Sequence, residues 1–322
     1  MLVRLAIRLE SAKKGTLIAI SSHNDMQRTM LFNLRSAFVS ALQAKAALQL
    51  AKDNIAYYDH LLQISRDRYS AGDIAQIDLD RLELQRVQYE SDLQTAEEDL
   101  ENAKIQLRTM LNSRTPLEQF DVIGVYDFND QIPPQDEFRK IALDSRPDLK
   151  AAVESVDKAK TDHKLALANG STDPTWGVWY THNSSNNNPF GINTLGVSAS
   201  FPLRIFDHNQ GEKLRTELDI TRNERLREAA EAGVLSDVDS NYATVESDLI
   251  LLRPYKAKYL QQAVRVRDTI TFSYQHGGAS LLDFLNAQAE YRTVELSYAN
   301  LVGSYLTAAA QLNQAVGREV IQ

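Results

Sequence analysis

The amino-acid sequence predicts a mainly α-helical protein, built from long antiparallel coiled-coil hairpins in two tandem repeats with a few β-strands. Apolar residues recur every seven positions through much of the 322-residue chain, which is the pattern of a coiled-coil seam. A similar seam returns 205 residues further on. Between the helical stretches the apolar period falls to two, which indicates β-strands.

The first helical hairpin is predicted from two seams that meet at a break. One seam runs through residues 34–62 and the other through residues 79–110, on either side of Ser70-Ala71-Gly72. The rows of the first seam are Leu34, Ala41, Leu48, Ile55 and Leu62 with Ala37, Ala44, Ala51 and Tyr58. Those of the second are Leu79, Arg86, Leu93, Leu100 and Leu107 with Leu82, Tyr89, Ala96, Ala103 and Met110. Two long helices joined by a short break form an antiparallel pair.

The last third of the chain repeats this arrangement. Its seams run through residues 242–270 and 284–315, separated by Gly277-Gly278. Three residues of the second break match the first at an offset of 205 without a gap: Tyr274 with Tyr69, Gly277 with Gly72 and Asp283 with Asp78. This match in the register of the seam indicates an internal duplication. Pro254 lies inside the third seam and is expected to kink or break that helix.

Shorter elements are predicted between the helical hairpins. Residues 120–126 resemble either a short strand or a plain connector, and Ser145 is expected to cap a helix that begins around Pro147 and fades at Asn169-Gly170. Residues 174–204 alternate apolar and polar around a polar loop at 183–193, as in a β-hairpin. Residues 3–10 alternate in the same way and predict one more strand.

These elements divide the chain into three predicted parts. Repeat 1 covers residues 1–115 and is incomplete, with one strand and a long helical hairpin. A connector covers residues 116–145. Repeat 2 covers residues 146–322, with a helix, the β-hairpin at about 174–204 and a second long helical hairpin.

Three strands surrounded by long helices leave their backbone edges unpaired. A closed barrel removes such edges, but three strands are too few to close one. Closure therefore requires strands from other copies of the chain and predicts a homo-oligomer. A half-buried hairpin at the edge of a soluble sheet is the alternative that the pattern alone leaves open.

Composition excludes several classes of function. The chain has no cysteine, which removes disulfides, thiol nucleophiles and Cys-ligated metals, and its net charge of −8 without a basic tract argues against nucleic-acid binding. The six histidines include no pair at helical spacing, and no phosphate-binding or nucleophile motif is present. We therefore expect neither an enzyme nor a cofactor or metal site.

The breaks between helices carry the candidate functional residues. Gly72 and Gly277 are expected to supply the left-handed turn that ends a helix. Asp78 and Asp283 fall in the first turns of the returning helices, where the helix dipole favours a carboxylate. This structural role and a functional role are equally compatible with the pattern.

Four segments resemble the TolC-like outer-membrane efflux protein family, and within it the heavy-metal, CzcC-like branch. They are residues 68–79 (RYSAGDIAQIDL), 274–288 (YQHGGASLLDFLNAQ), 146–149 (RPDL) and 201–211 (FPLRIFDHNQG). The resemblance implies a trimer in which each protomer gives four strands to an outer-membrane β-barrel and long helices to a periplasmic α-barrel. It further implies a passive conduit for metal ions or small molecules, acting with a periplasmic adaptor and an inner-membrane RND-type pump.

The resemblance also implies roles for the residues at the breaks. Tyr69, Gly72, Gly277 and Gly278 would form the hairpin tips where the adaptor docks. Asp78 and Tyr274 match positions that latch the periplasmic entrance in some members, and Asp283 matches an acidic ring. The sequence departs from that pattern with Ala279 in place of an arginine latch partner and Asn286 in place of a second ring acid.

Family members begin with an export signal, a first helix and a first barrel strand, which predicts that this chain is truncated at its N-terminus. A second class of function remains open, a soluble periplasmic coiled-coil adaptor or tether without a pore. The strand at residues 194–203 distinguishes the two functions. In a conduit the apolar face of this strand contacts lipid, whereas in an adaptor the same face is buried in a small soluble domain.

Overall fold

The computed structural model describes residues 2–182, 193–203 and 205–321, and most of them are helical. The helices are α1 (Leu2–Ser70), α2 (Gln76–Met110), α3 (Gln135–Ser145), α4 (Pro147–Asn169), α5 (Gln210–Pro254), α6 (Leu260–Gln275) and α7 (Leu281–Val316). A 3-10 turn covers Leu117–Gln119 and a π-helical turn covers Tyr255–Tyr259. The strands are β1 (Thr175–His182) and β2 (Asn193–Ser200).

The chain divides into two compact units. The first unit contains Met1–Asp25 and Arg146–Gly233, and the second contains Met26–Ser145 and Val234–Gln322. The strands and α4 belong to the first unit, whereas α2, α3, α6 and α7 belong to the second. The division into repeats at residues 115 and 145 stays a prediction, since each unit draws on both halves of the chain.

The strand predicted at residues 3–10 is wrong, because these residues lie in α1. Polar contacts to α4 and the residues that follow it hold this part of α1 in place. Arg4 binds Asp173 at 2.7 Å and donates to Ser171 Oγ at 2.9 Å, and Lys14 donates to Thr161 at 2.8 Å. The buried residues in this part of α1 are polar, Ser11 and Ser21, whereas the alternating apolar residues Val3, Leu5 and Leu9 are exposed.

The β-hairpin predicted at residues 174–204 is confirmed. The strands pair antiparallel from Thr175↔Ser200 to His182↔Asn193. Each strand is eight residues long. The predicted loop at 183–193 lies outside the described residues except for Asn193.

Helix boundaries near the prolines follow from proline's missing N–H. Pro254 ends α5, and the π-helical turn that follows leads into α6, so the predicted break is confirmed. The sequence predicts Ser145 as the cap of α4, and this prediction is wrong. Ser145 is instead the last residue of α3, and its hydroxyl donates to Val316 O at 2.8 Å. Arg146 holds the N-cap position of α4, with Pro147 in its first turn.

The predicted seams form the core of the second unit. Near the turns, one apolar cluster contains Tyr58, Leu61, Leu62, Leu79, Leu82, Tyr89, Tyr274 and Phe284. A second cluster, further from the turns, contains Ala41, Leu42, Ala44, Ala103, Leu107 and Val122. Most members occupy seam positions, which confirms that the heptads pack helix against helix.

Residues 120–134 form a connector without regular secondary structure, so the strand alternative at 120–126 is not realised. Side chains from the helices satisfy its polar groups. Lys45 donates to Asp121 at 2.6 Å and to Val122 O at 2.9 Å, and Lys256 contacts both oxygens of Asp127. Lys45 lowers the pKa of Asp121 to about 2. These contacts tie the connector to the helices of the second unit.

Candidate functional site at the turns of the helical hairpins

Both helical hairpins turn through the same backbone motif. Gly72 has φ 83° and Gly277 has φ 77°, in the left-handed region that glycine tolerates best. In the first turn Asp73 N–H donates to Arg68 O and Gly72 N–H to Tyr69 O, both at 2.9 Å. The second turn repeats both bonds from Gly278 and Gly277. This is the Schellman motif, and it explains the two positive-φ glycines through helix termination alone.

The helices that leave the two turns are capped differently. At the start of α7, Ser280 Oγ accepts from Asp283 N–H at 3.2 Å, while an Asp283 carboxylate oxygen accepts from Ser280 N–H at 3.2 Å. This capping box lowers the pKa of Asp283, chiefly through the bond from the Ser280 hydroxyl. At the start of α2, Ala75 stands at the N-cap and provides no side-chain bond to Asp78. Asp283 is exposed, and its carboxylate accepts the capping hydrogen bond from Ser280 N–H. Asp78 is half-buried.

Removing the cap hydroxyl of α7 and adding one to α2 are expected to change the stability of the two helix starts in opposite directions. Ser280→Ala should destabilise the first turn of α7 by about 1 kcal/mol, and Ala75→Ser should stabilise the first turn of α2 by a similar amount. Amide hydrogen exchange of the first two turns of each helix measures both effects. Unchanged exchange in Ser280→Ala would show that the capping box contributes nothing to local stability.

Tyr274 lies on the inner side of the second turn and is nearly buried. Its ring stacks on Phe284 with centroids 4.8 Å apart, and the Arg68 guanidinium lies 5.4 Å from the centroid of the same ring. Arg68 also donates to Tyr274 O at 3.2 Å. Burial raises the pKa of Tyr274, and the negative charge of Asp78 adds to the increase.

The structure therefore brings Asp78 near Tyr274 but does not join them. The Tyr274 hydroxyl is buried without a hydrogen-bond partner among the described residues. Tyr69 is partly exposed, and Gly72, Gly277 and Gly278 lie at the surface of the turns. Arg68, which sequence reasoning missed, makes the contact to Tyr274. Arg68 is the basic residue in the last turn of α1, but its position along the chain does not indicate which ring it contacts.

A second polar group lies along the same helices. The Arg267 guanidinium lies between two rings, 4.6 Å from the centroid of Tyr57 and 4.0 Å from that of Tyr291. Tyr291 donates to one carboxylate oxygen of Glu295, and the other oxygen is buried without a partner among the described residues. Tyr291 occupies a seam position, whereas Tyr57, Arg267 and Glu295 lie beside seam positions, so the heptad pattern does not indicate those three.

The β-hairpin presents an apolar face in the first unit. Trp176, Val178, Leu195 and Val197 are 68%, 73%, 72% and 69% exposed, and they pair across the strands together with Tyr180 and Ala199. On the opposite face, Trp179 pairs with Gly196, where a Cβ would lie 2.4 Å from the indole ring. An exposed apolar face of this size marks a surface that contacts lipid or protein.

The described residues include neither a membrane-spanning helix nor a metal-binding cluster. No described helix combines the length and apolarity that a bilayer crossing demands. Within the same residues, no group of three or more His, Cys, Asp or Glu side chains is arranged to hold a metal ion.

The outer membrane efflux protein family matches residues 139–318, which is more than half of the chain. The chain belongs to this family. Its membership confirms the family resemblance, the mainly helical fold and the location predicted from the motifs, the outer membrane with a periplasmic extension.

Particular members of the family are distant but similar along most of this chain. The outer membrane protein TolC of Escherichia coli is 22% identical over 311 residues, which cover 90% of this chain and 62% of TolC. The cobalt-zinc-cadmium resistance protein CzcC of Cupriavidus metallidurans is 21% identical over 317 residues, which cover 97% of this chain and 73% of CzcC. The crystal structure of CusC matches with a TM-score of 0.83 at 18% identity, over 98% of this chain and 74% of CusC. The chain thus spans less than two thirds of the length of TolC.

Proposed function

We propose that the protein is the outer-membrane channel component of a tripartite efflux system, a passive conduit from the periplasm to the exterior. The exposed apolar face of the β-hairpin carries this proposal. Its strands alternate apolar and polar faces, as strands do when one face meets lipid and the other meets an aqueous lumen. The long helical hairpins of the second unit would then line the periplasmic part of the conduit.

The assembly that this function needs is a homotrimer. Two described strands have unpaired outer edges, and a barrel closes only when other copies pair with those edges. In the family fold, each protomer contributes four strands to a shared barrel. We propose the same trimer here.

Membership of the family supports a proposal for the partners and the cargo. A periplasmic adaptor would dock on the turns at Tyr69, Gly72, Gly277 and Gly278, and an inner-membrane RND-type pump would drive transport. The name of CzcC, a cobalt-zinc-cadmium resistance protein, supports divalent metal ions as cargo. No covalent chemistry and no cofactor are required, since the conduit itself is passive.

Fractionation tests the proposed function. The protein, produced from its own gene in a Gram-negative cell, is expected in the outer-membrane fraction as a trimer that dissociates on heating. A monomer in the soluble periplasmic fraction would contradict the conduit and favour the adaptor or tether.

We propose that Asp283 from three protomers narrows and charges the entrance, near Asp78 and Tyr274. Asp283→Ala and Asp283→Asn should both weaken block of the channel by divalent cations, measured as single-channel conductance in planar bilayers. Ser280→Ala is the matched control, because it removes the cap and keeps the charge. Asparagine keeps an acceptor for the cap but carries no charge. Loss of block in Asp283→Ala but not in Asp283→Asn would therefore assign the effect to the cap. Unchanged block in both variants would exclude a charged entrance.

A further inference from the structure

Three arginine–tyrosine contacts join the first helical hairpin to the second. The guanidinium of Arg68 in α1 faces Tyr274 in α6 at 5.4 Å. Arg267 in α6 faces Tyr57 in α1 at 4.6 Å. A third contact, from Arg292 in α7 to Tyr89 in α2, also spans 5.4 Å. Each of these three pairs takes its arginine from one hairpin and its tyrosine from the other, and Arg267 also lies 4.0 Å from Tyr291 within its own hairpin.

Each arginine has a second polar partner that fixes its position. Arg292 binds Asp92 at 2.9 Å, again from one hairpin to the other, and Arg267 binds Asp268 at 2.8 Å. Arg68 donates to the backbone carbonyl of Tyr274 at 3.2 Å. A guanidinium is planar, so it can lie on a ring while its edge donates hydrogen bonds. The three contacts are therefore directional ties as well as apolar packing.

The duplication shows what stands at the place of each arginine in the other hairpin. The three arginines do not recur as cations: Ser273 matches Arg68, Leu62 matches Arg267 and Val87 matches Arg292. The contacts across the hairpins therefore have no copy at the offset of 205, and it is their geometry that assigns the arginines to this interface.

We propose that Arg68, Arg267 and Arg292 are arginine–tyrosine staples that hold the second hairpin on the first, and that Arg68 is the latch of the closed entrance. The latch part rests on the proposed channel function. Asp78 makes no hydrogen bond to the Tyr274 hydroxyl in the described structure, and Ala279 offers no charge there. The charged contact to Tyr274 at the tip is the one from Arg68.

This type of latch can open and close repeatedly. A cation over a ring is held by a broad, shallow attraction, and the guanidinium can slide or leave without breaking a covalent bond or exposing a buried charge pair. Withdrawal of Arg68 from Tyr274 would remove the charged contact between the two turns and loosen the second one, while Arg267 and Arg292 keep the hairpins together further along.

Spin-label distances in the full chain test the staples. The chain has no cysteine, so Asp73→Cys and His276→Cys place two labels on the turns without background. In trimers diluted with an excess of unlabelled chain, the parent is expected to give a short, narrow distance distribution. Arg68→Ala should lose this population, and the triple arginine-to-alanine variant should lose it more completely.

Two further variants make the test specific. Arg66→Ala is the matched control, because it removes an ion pair to Glu83 at 2.9 Å within the first hairpin and should leave the distribution unchanged. Tyr274→Phe keeps the ring and removes the hydroxyl, so a staple predicts retention of the short distance and a hydroxyl latch predicts its loss. If Arg68→Ala fails to fold by circular dichroism, Tyr274→Leu tests the same contact from the other side.

Conductance in planar bilayers separates the two proposals. An unchanged distance distribution in Arg68→Ala would overturn the staples even where the parent forms channels. Absence of channels in the parent would overturn the proposed function, while loss of the short distance in Arg68→Ala would still support the staples. A channel that leaks more in Arg68→Ala than in Arg66→Ala is the result expected if both hold.

Discussion

Tyr58→Ala is expected to lower the free energy of unfolding of the second unit by about 3–5 kcal/mol. Tyr58 is 1% exposed and stacks on Tyr89 with ring centroids 4.5 Å apart. Its hydroxyl donates to Leu82 O at 2.9 Å, so the ring and the hydroxyl together join α1 to α2. Alanine would leave a cavity at the centre of the cluster next to the turns. Urea denaturation followed by circular dichroism measures the change.

Two variants divide this loss into its parts. Tyr58→Phe keeps the ring and loses the hydrogen bond, which costs about 1 kcal/mol. Tyr69→Ala removes a partly exposed tyrosine eleven positions further along α1 and should change stability by less than about 0.5 kcal/mol. Equal losses in Tyr58→Ala and Tyr58→Phe would contradict the cavity argument.

The long helices were the most predictable part of the fold. A seven-residue apolar period leaves no other regular structure that buries one face over 35 residues, the length of α2. The same reasoning places Tyr58, Leu82 and Phe284 in the core. The β-hairpin was predictable for the related reason that two strands of alternating pattern flank a polar loop.

Short segments were harder to predict because two structures share their pattern. Alternation over residues 3–10 also fits a helix with polar contacts on its buried face, and the partner of Arg4, Ser171, is 167 residues away in sequence. Helix α3 was missed although Pro134 and the acidic residues Asp136 and Glu137 give a start signal. Only two residues of α3 are buried, Phe138 and, one turn later, Ala142, so the helical period is weak.

The candidate site was predictable only at its turns. Glycine and aspartate at fixed offsets locate Gly72, Gly277 and Asp283, since the backbone needs those residue types. Arg68 and Arg267 depend on which tyrosine of another helix faces them. That information lies in the packing of four helices, and no spacing along one of them contains it.

Glu295 is the least favourably placed charge of this packing. Its carboxylate faces Tyr291 on its own helix, Arg267 on α6 and Asp53 on α1. Tyr291 donates to one oxygen, and the other is buried without a partner in the described structure. Burial raises the pKa of Glu295 above its ordinary value of 4.5, although Tyr291 and Arg267 oppose the shift. The folded chain therefore binds this proton more tightly than the unfolded chain does.

Stability should consequently fall as pH rises through the folded pKa of Glu295, and Glu295→Gln should remove that loss. Because the folded state holds the extra proton, the penalty is absent near pH 4.5 and fully present above the folded pKa. Glutamine keeps an acceptor for Tyr291 without a buried charge, so we expect it to stabilise the second unit by about 1–2 kcal/mol at alkaline pH. Urea midpoints from pH 5 to pH 8 measure the gap between variant and parent. Glu290→Gln, on the exposed side of α7, should show no gap at any pH, and a Glu295→Gln gap that does not widen with pH would assign the effect to packing instead of charge.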